Sequence, residues 1–225
     1  WQIPARFDIP SAVADQWADG SGREAVVELD ATGRRRVWTF DQIAQHSRRA
    51  ANLFAAAGIQ PADRVAVPLS QRIETLIAHL AAWRLGAISV PLFTLFGADA
   101  LLYRLNDSGA RLIVTDRAGA QKIAQIRNEL TALERVFAVD GREEGAEDFA
   151  AALEQASDSF APRSIGADDP ALIIYTSGTT GPPKGALHAQ RVLLGHLPGV
   201  QMPHEFFPQP GDRFWTPADW AWIGG

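Results

Sequence analysis

Apolar residues follow two patterns along this chain: short continuous runs, and longer stretches with an apolar residue at every third or fourth position. The runs predict buried strands, and the stretches with helical spacing predict helices. Strands are predicted at residues 25–29, 37–40, 63–69, 87–92, 112–115 and 135–139. Helices are predicted from a capping box at Thr39 and Gln42 to a stop at Gly58, and at residues 74–85, 98–106 and 121–130.

Strands that alternate with helices favour a parallel sheet covered on both faces. We therefore predict an α/β fold with a layered, mostly parallel sheet flanked by helices. Residues 140–170 are acidic and alanine-rich, and only a short helix at 149–156 is expected there. A break at residues 168–170 precedes one more strand.

Composition removes several classes of function. The 225 residues suffice for one large or two small domains, and an apolar fraction of 47% can fill a core. A net charge of −5 argues against nucleic acid as the main partner, and the absence of cysteine excludes disulfides and thiolate sites. Because the sequence shows neither an apolar run of about 18–20 residues nor a signal peptide, we expect a soluble cytoplasmic protein.

The chemistry is concentrated where the run 171–174 leads into residues 175–185. Glycines allow close backbone approach to a ligand, and successive N–H groups can converge on phosphate oxygens. Hydroxyl groups add donors, and a lysine adds a positive charge. The residues predicted to bind phosphate are Thr176, Ser177, Gly178, Thr179, Thr180, Gly181, Lys184 and Gly185, with Pro182 and Pro183 stiffening the segment.

Two other interpretations fit this segment less well. Glycine, threonine and proline are also typical of a plain surface turn, but a turn needs neither four closely spaced hydroxyl donors nor a lysine after a buried strand. A P-loop requires four residues between its two glycines and then Gly-Lys-Ser/Thr. Here Gly178 and Gly181 are separated by two residues, and Lys184 follows a proline, so the P-loop pattern fails.

The run Tyr-Thr-Ser-Gly-Thr-Thr-Gly-x-Pro-Lys-Gly resembles the signature of the AMP-forming adenylate ligases. This family includes acyl-CoA synthetases, luciferases and the adenylation domains of peptide synthetases. The resemblance implies that the loop handles the β- and γ-phosphates of ATP and the departing pyrophosphate, with Lys184 and Thr176 in catalytic roles. It extends to residues 38–40, 86–92 and 105–110, which we interpret as core, caps and turns.

The resemblance also implies a reaction. A carboxylic acid would be activated by ATP to acyl-AMP with release of pyrophosphate, and the acyl group would then form a thioester with CoA. Mg²⁺ would accompany ATP and need few protein ligands. The tryptophan-rich tail resembles a segment bordering the acyl site of short- and medium-chain acyl-CoA synthetases, which makes Trp222, Ile223 and Gly224 candidates for the wall of an acyl pocket.

The resemblance predicts a domain organisation as well. Residues 1–165 would form a first α/β subdomain, and residues 166–225 would begin a second one that carries the phosphate loop. We expect these residues to be the incomplete N-terminal AMP-binding domain of a longer ligase. The adenine segment, the ribose-binding aspartate and the C-terminal lysine are not found in them, so they should be inactive alone. The alternatives are a peptide-synthetase adenylation domain and an inert nucleotide-binding or interaction module.

The histidines suggest little chemistry. His188, His196 and His204 are spaced by eight residues and match no metal-binding pattern, so no protein-bound metal is predicted. His188 is interpreted as a packing residue. A helix is expected over residues 192–197, and a helix that starts beyond a phosphate loop would direct its positive end towards anions.

Overall fold

A seven-stranded sheet, covered by helices on both faces, dominates the computed structural model, which describes residues 2–30, 32–176 and 181–222. A separate antiparallel hairpin precedes it, formed by β1 (Glu24–Leu29) and β2 (Arg35–Thr39). The sheet strands are β3 (Arg64–Val67), β4 (Ile88–Pro91), β5 (Ala110–Thr115), β6 (Arg135–Ala138), β7 (Glu147–Asp148), β8 (Pro170–Thr176) and β9 (Lys184–Ala189).

Seven α-helices lie among the described residues. They are α1 (Ile9–Val13), α2 (Phe40–Ala56), α3 (Ile73–Arg84), α4 (Ala98–Ser108), α5 (Arg117–Ile126), α6 (Phe149–Gln155) and α7 (Val192–Gln201). The sheet order is β7-β6-β5-β3-β4-β8-β9, and all described pairs are parallel except β8–β9. The predicted α/β fold with a mostly parallel sheet is thereby confirmed.

The two faces of the sheet bury different side chains because successive residues of a strand point to opposite sides. In β3, Val65 and Val67 pack with α2, α3 and α6, whereas Ala66 packs with α4 and α5. A cluster of three phenylalanine rings, with centroids 6.1–6.4 Å apart, fills the first face and consists of Phe54, Phe137 and Phe149. The second face matters more for function, because it carries the helix that contacts the segment 175–185.

The first long helix begins and ends where the sequence predicts. Thr39 accepts a hydrogen bond from the backbone N–H of Gln42, and the Gln42 side chain accepts one from the Thr39 N–H, which completes the capping box. Gly58, with φ of 89°, follows the helix end. The prediction for α5 was less accurate, since it begins at Arg117 rather than at residue 121. Its cap is Asp116, whose carboxylate accepts from the Gly119 N–H at 2.7 Å.

The segment after the predicted phosphate loop differs most from expectation. Lys184 begins strand β9, which was not predicted, and α7 starts at Val192, where a helix was expected, beyond the other end of that strand. The idea that a helix N-terminus follows the loop and points at the phosphates is therefore wrong. The cause is pairing with β8, which turns a glycine- and alanine-rich segment of weak strand propensity into a strand.

The expected division of the chain at residue 166 stays a prediction. In the described residues, β4 on one side of this boundary pairs with β8 on the other, through Ser89 and Leu172. The strands from both sides thus belong to one sheet. Among the helices that the structure describes, none combines the length and the apolar character needed to cross a bilayer.

Candidate functional site

The hairpin of β8 and β9 brings together two of the residues predicted to handle phosphate. Thr176 and Lys184 are direct register partners at the end of the antiparallel pair, and both are exposed. Partners in such a pair have Cβ atoms about 4.5–5.5 Å apart on one face of the sheet. The Thr176 hydroxyl and the Lys184 ammonium group therefore extend from adjacent backbone positions, one on each side of the connecting loop.

The loop itself is only partly described. Ser177, Gly178, Thr179 and Thr180 were predicted to bind phosphate and lie outside the described residues. Gly181 is described and exposed, and its φ of 109° is one that favours glycine. The phosphate-binding role of all of these residues stays a prediction.

Gly185 has a structural reason to be glycine that the sequence did not reveal. A Cβ at this position would lie 2.8 Å from Cγ2 of Ile173 and 3.3 Å from Cζ of Tyr175. The absence of a side chain thus lets the Tyr175 ring pack across β9. A role for Gly185 in binding phosphate stays a prediction, but packing alone is enough to explain the residue.

Tyr175 ties the hairpin to α4. Its ring is nearly buried, and its hydroxyl lies 2.6 Å from the Asp107 carboxylate and 3.2 Å from the Arg104 carbonyl oxygen, both of which can accept its proton. Burial, together with the neighbouring Asp107 carboxylate, raises the pKa of Tyr175 well above that of an ordinary tyrosine. The phenol therefore stays protonated and remains a donor.

A second contact joins α4 to the other side of the loop. The Tyr103 hydroxyl donates to the Pro183 carbonyl oxygen at 3.0 Å, immediately before Lys184. The Arg104 guanidinium of α4 lies 4.0 Å from the ring centroid of Phe96 and 5.7 Å from that of Tyr175. Burial lowers the pKa of Arg104 below its usual value.

The α4 contacts were missed by the sequence analysis. Residues 105–110 are interpreted from the sequence as core, caps and turns, and they do contain a helix stop, since Gly109 adopts the left-handed conformation at the end of α4. Asp107 and Tyr103 meet partners 68 and 80 residues further along the chain. Only the position of Asp107 gave a signal, because an acid in the last turn opposes the helix dipole.

The candidate acyl-pocket residues are described in part. Trp222 packs edge-on against Phe93 with 5.3 Å between ring centroids, and about half of its surface is exposed. Phe93 lies two residues beyond the carboxyl end of β4, and Thr176 is at the carboxyl end of β8, which runs parallel to β4. Trp222 therefore lies at the same end of the sheet as the loop between β8 and β9. We call these two strands and their loop the phosphate hairpin, after the role predicted for it. Ile223 and Gly224 lie outside the described residues.

His188 lies away from this end of the sheet. It pairs with Leu172, four positions from Thr176 along β8, which corresponds to about 13 Å of strand. Its side chain is half-buried, in line with the packing role expected for it. Within 2–30, 32–176 and 181–222, no three His, Cys, Asp or Glu side chains come together as a metal site.

The fold and the hairpin define a class of protein. Ligands of open α/β sheets bind at the carboxyl ends of the strands, and this end of β8 carries a hydroxyl and an amine on either side of a glycine-containing loop. A hydroxyl and an amine placed in this way make the hairpin a candidate anion site, and its role in binding phosphate stays a prediction. Residues 13–225 match the AMP-binding enzyme family, and the chain belongs to that family. The resemblance noted from the signature is confirmed at the level of the family.

Within this family, the chain is similar to several acetyl- and acyl-CoA synthetases. The chain is 32% identical to an acetyl-coenzyme A synthetase of Sodalis glossinidius, covering 100% of this chain and 37% of that protein. It is 31% identical to the mitochondrial acyl-coenzyme A synthetase ACSM2 of Rattus norvegicus, covering 99% and 40%. The crystal structure of a Brucella canis acyl-CoA synthetase superposes with a TM-score of 0.86 at 31% identity, covering 99% of this chain and 40% of that one. The chain thus spans about two fifths of the length of these relatives.

Proposed function

We propose that this chain belongs to an AMP-forming acid–thiol ligase, which activates a carboxylic acid with ATP and transfers the acyl group to CoA. Membership of the AMP-binding enzyme family supports the nucleotide chemistry. The names of the relatives, acetyl- and acyl-coenzyme A synthetase, support a carboxylic acid and CoA as the other substrates. The observation that carries the proposal is the pairing of Thr176 with Lys184 at the carboxyl end of β8.

That pairing suits the first half of the reaction. A carboxylate oxygen attacks the α-phosphorus of ATP, and the bond to the bridging oxygen breaks as pyrophosphate leaves with its negative charge. Lys184 would hold the leaving group by charge, and Thr176 would donate a hydrogen bond to it. Because both groups are fixed on strands, little reorganisation is needed during the reaction. Mg²⁺, when bound with ATP, would neutralise further phosphate charge.

The acid would bind beside this hairpin. Trp222 and Phe93 form an aromatic contact at the same end of the sheet as Thr176, and aromatic walls are typical of pockets for apolar groups. An acid that packs against Trp222 would place its carboxylate next to the phosphates. We propose a short- or medium-chain fatty acid, with Ile223 and Gly224 completing the wall.

The test is pyrophosphate release by the intact protein, measured with ATP, Mg²⁺ and a panel of straight-chain acids from acetate upwards. We expect Lys184→Ala to lower kcat about 10²–10³-fold, the range seen when one group that stabilises the transition state is lost. Thr176→Ala should act in the same direction. Arg163→Gln is the matched control, since it removes an exposed positive charge that lies outside strands β8 and β9.

Two outcomes would contradict the proposal. If no acid supports pyrophosphate release by the intact protein, the chain is better explained as an inert nucleotide-binding module. If Lys184→Ala matches the Arg163→Gln control, the hairpin does not handle the phosphates. Residues 1–225 on their own are expected to release no more pyrophosphate than a sample without protein.

A further inference from the structure

We propose that helix α4 is the positioning element of the phosphate hairpin, with Tyr103 and Asp107 as its positioning residues. Tyr103 would fix the strand that carries Lys184, and Asp107 would fix, through Tyr175, the strand that ends at Thr176. This inference rests on the function proposed above. It adds to that function two residues that lie outside the phosphate signature.

The contact on the Lys184 side acts on the backbone. The Pro183 carbonyl that accepts from Tyr103 belongs to the peptide bond joining Pro183 to Lys184. Proline has no N–H, so this carbonyl is its only backbone hydrogen-bonding group. In the described sheet β9 is a terminal strand, paired on one side only. Strand pairing holds β9 only on the side of β8. The hydrogen bond from α4 gives the start of β9 a second attachment.

The contact on the Thr176 side acts through a neighbouring residue. Tyr175 directly precedes Thr176, and its hydroxyl is held by Asp107 at 2.6 Å. Asp107 lies in the last turn of α4, where a negative charge opposes the helix dipole. Helix stability therefore does not explain an acidic residue at this position. The hydrogen bond that Asp107 accepts from Tyr175 does explain it. Stacking of Arg104 between Phe96 and Tyr175 keeps the ring in place.

Both contacts should lower the cost of binding ATP. Ordering a loop or a side chain on binding consumes part of the binding free energy, and supports that already hold it reduce this loss. Tyr103 and Asp107 bond to Pro183 and Tyr175 of the hairpin, and among the described contacts neither meets Phe93 or Trp222. Loss of either side chain should therefore affect ATP more than the acid. The signature of the proposed role is therefore a higher KM for ATP with an unchanged KM for the acid.

The experiment measures both KM values for variants of the intact protein. Tyr103→Phe removes one hydroxyl and should raise the KM for ATP about fivefold, the equivalent of one net hydrogen bond. Asp107→Ala should raise it at least as much, and Asp107→Asn should restore most of the loss because its amide oxygen can accept from Tyr175. Asn106→Ala is the control, since it removes a 3.0 Å hydrogen bond from α4 to the Glu129 carbonyl, away from the hairpin.

A double mutant tests whether Tyr103 acts through Lys184. In a Lys184→Ala background, Tyr103→Phe should no longer change the KM for ATP, because the group it positions is gone. The inference is overturned if Tyr103→Phe behaves like Asn106→Ala, if it raises both KM values equally, or if its effect persists in that background. If Asp107→Ala fails to fold, Tyr103→Phe still tests the inference, because Tyr103 is partly exposed and its substitution is mild. An impaired Lys184→Ala beside an unaffected Tyr103→Phe refutes only the role of α4, whereas an unaffected Lys184→Ala refutes the proposed function.

Discussion

Replacement of one buried histidine should change how the stability of this protein depends on pH. His79 lies on α3, hydrogen bonds to the hydroxyl of Ser89 on β4, and stacks on Trp83 at 5.7 Å between ring centroids. The Trp83 indole in turn donates to the Ala171 carbonyl of β8 at 2.7 Å. His79 is therefore linked to β4, which leads to Phe93, and through Trp83 to β8, which leads to the phosphate hairpin.

Burial lowers the pKa of His79 from 6.5 to about 4. Because the depressed group is a base, the folded state favours its neutral form, and the unfolded state binds the proton more readily. The resulting stability is fully present above pH 6.5 and is lost as the pH falls from 6.5 towards 4. From these two pKa values, the loss between pH 7.5 and pH 5 is about 2 kcal/mol in the free energy of unfolding.

The assay is urea unfolding followed by tryptophan fluorescence at pH 7.5, 6 and 5. His79→Gln cannot titrate in this range, and its amide can still bond to Ser89. We expect the parent protein to lose about 2 kcal/mol more than this variant between the two extremes. His196→Gln, which replaces an exposed histidine on α7, should keep the parental pH dependence. Equal losses in the parent and in His79→Gln would refute the reasoning, whatever the stability of the variant at pH 7.5.

Two further substitutions test the packing described above. Gly185→Ala would place a Cβ 2.8 Å from Ile173, and we expect urea unfolding to show a loss of about 1–3 kcal/mol. Gly195→Ala, where an added Cβ meets nothing within 4 Å, should cost nothing, and equal losses at both positions would contradict the packing argument. Asp15→Ala would remove the carboxylate that pairs with the buried Arg84 guanidinium at 2.7 Å and 2.8 Å, with an expected loss of about 3 kcal/mol. Asp168→Ala, which breaks an exposed pair with Arg191, should cost less than about 1 kcal/mol. A similar cost for both pairs would show that burial does not determine how much an ion pair contributes to the free energy of unfolding.

Local signals explain what the sequence could predict of the fold. The capping box of Thr39 and Gln42 and the stop at Gly58 each depend on residues within a few positions of one another, and both are confirmed. The error at the start of α5 has the same local origin. Gly119 within the first turn weakens the helical pattern, and the Asp116 cap that offsets it was overlooked.

Strand β9 shows where local signals end. The sequence Lys-Gly-Ala-Leu-His-Ala has weak strand propensity, and it forms a strand because β8 supplies partners from Thr176 back to Pro170. The glycine in it was interpreted only as a means to approach phosphate. The structure adds the packing of Tyr175, which depends on which residues face each other across the hairpin.

The support of the hairpin by α4 could not be predicted for a related reason. The phosphate signature could be identified because its chemistry lies within eleven consecutive residues, whereas Asp107 and Tyr175 are 68 positions apart. In the sequence alone, Asp107 belongs to a helix end and Tyr175 to a strand end, and each has a sufficient local explanation. Only the order of the sheet, which places β8 beside β4 and so brings the end of α4 under the hairpin, joins them. A short motif can thus specify which groups meet a ligand, while the residues that hold those groups in place follow from the topology.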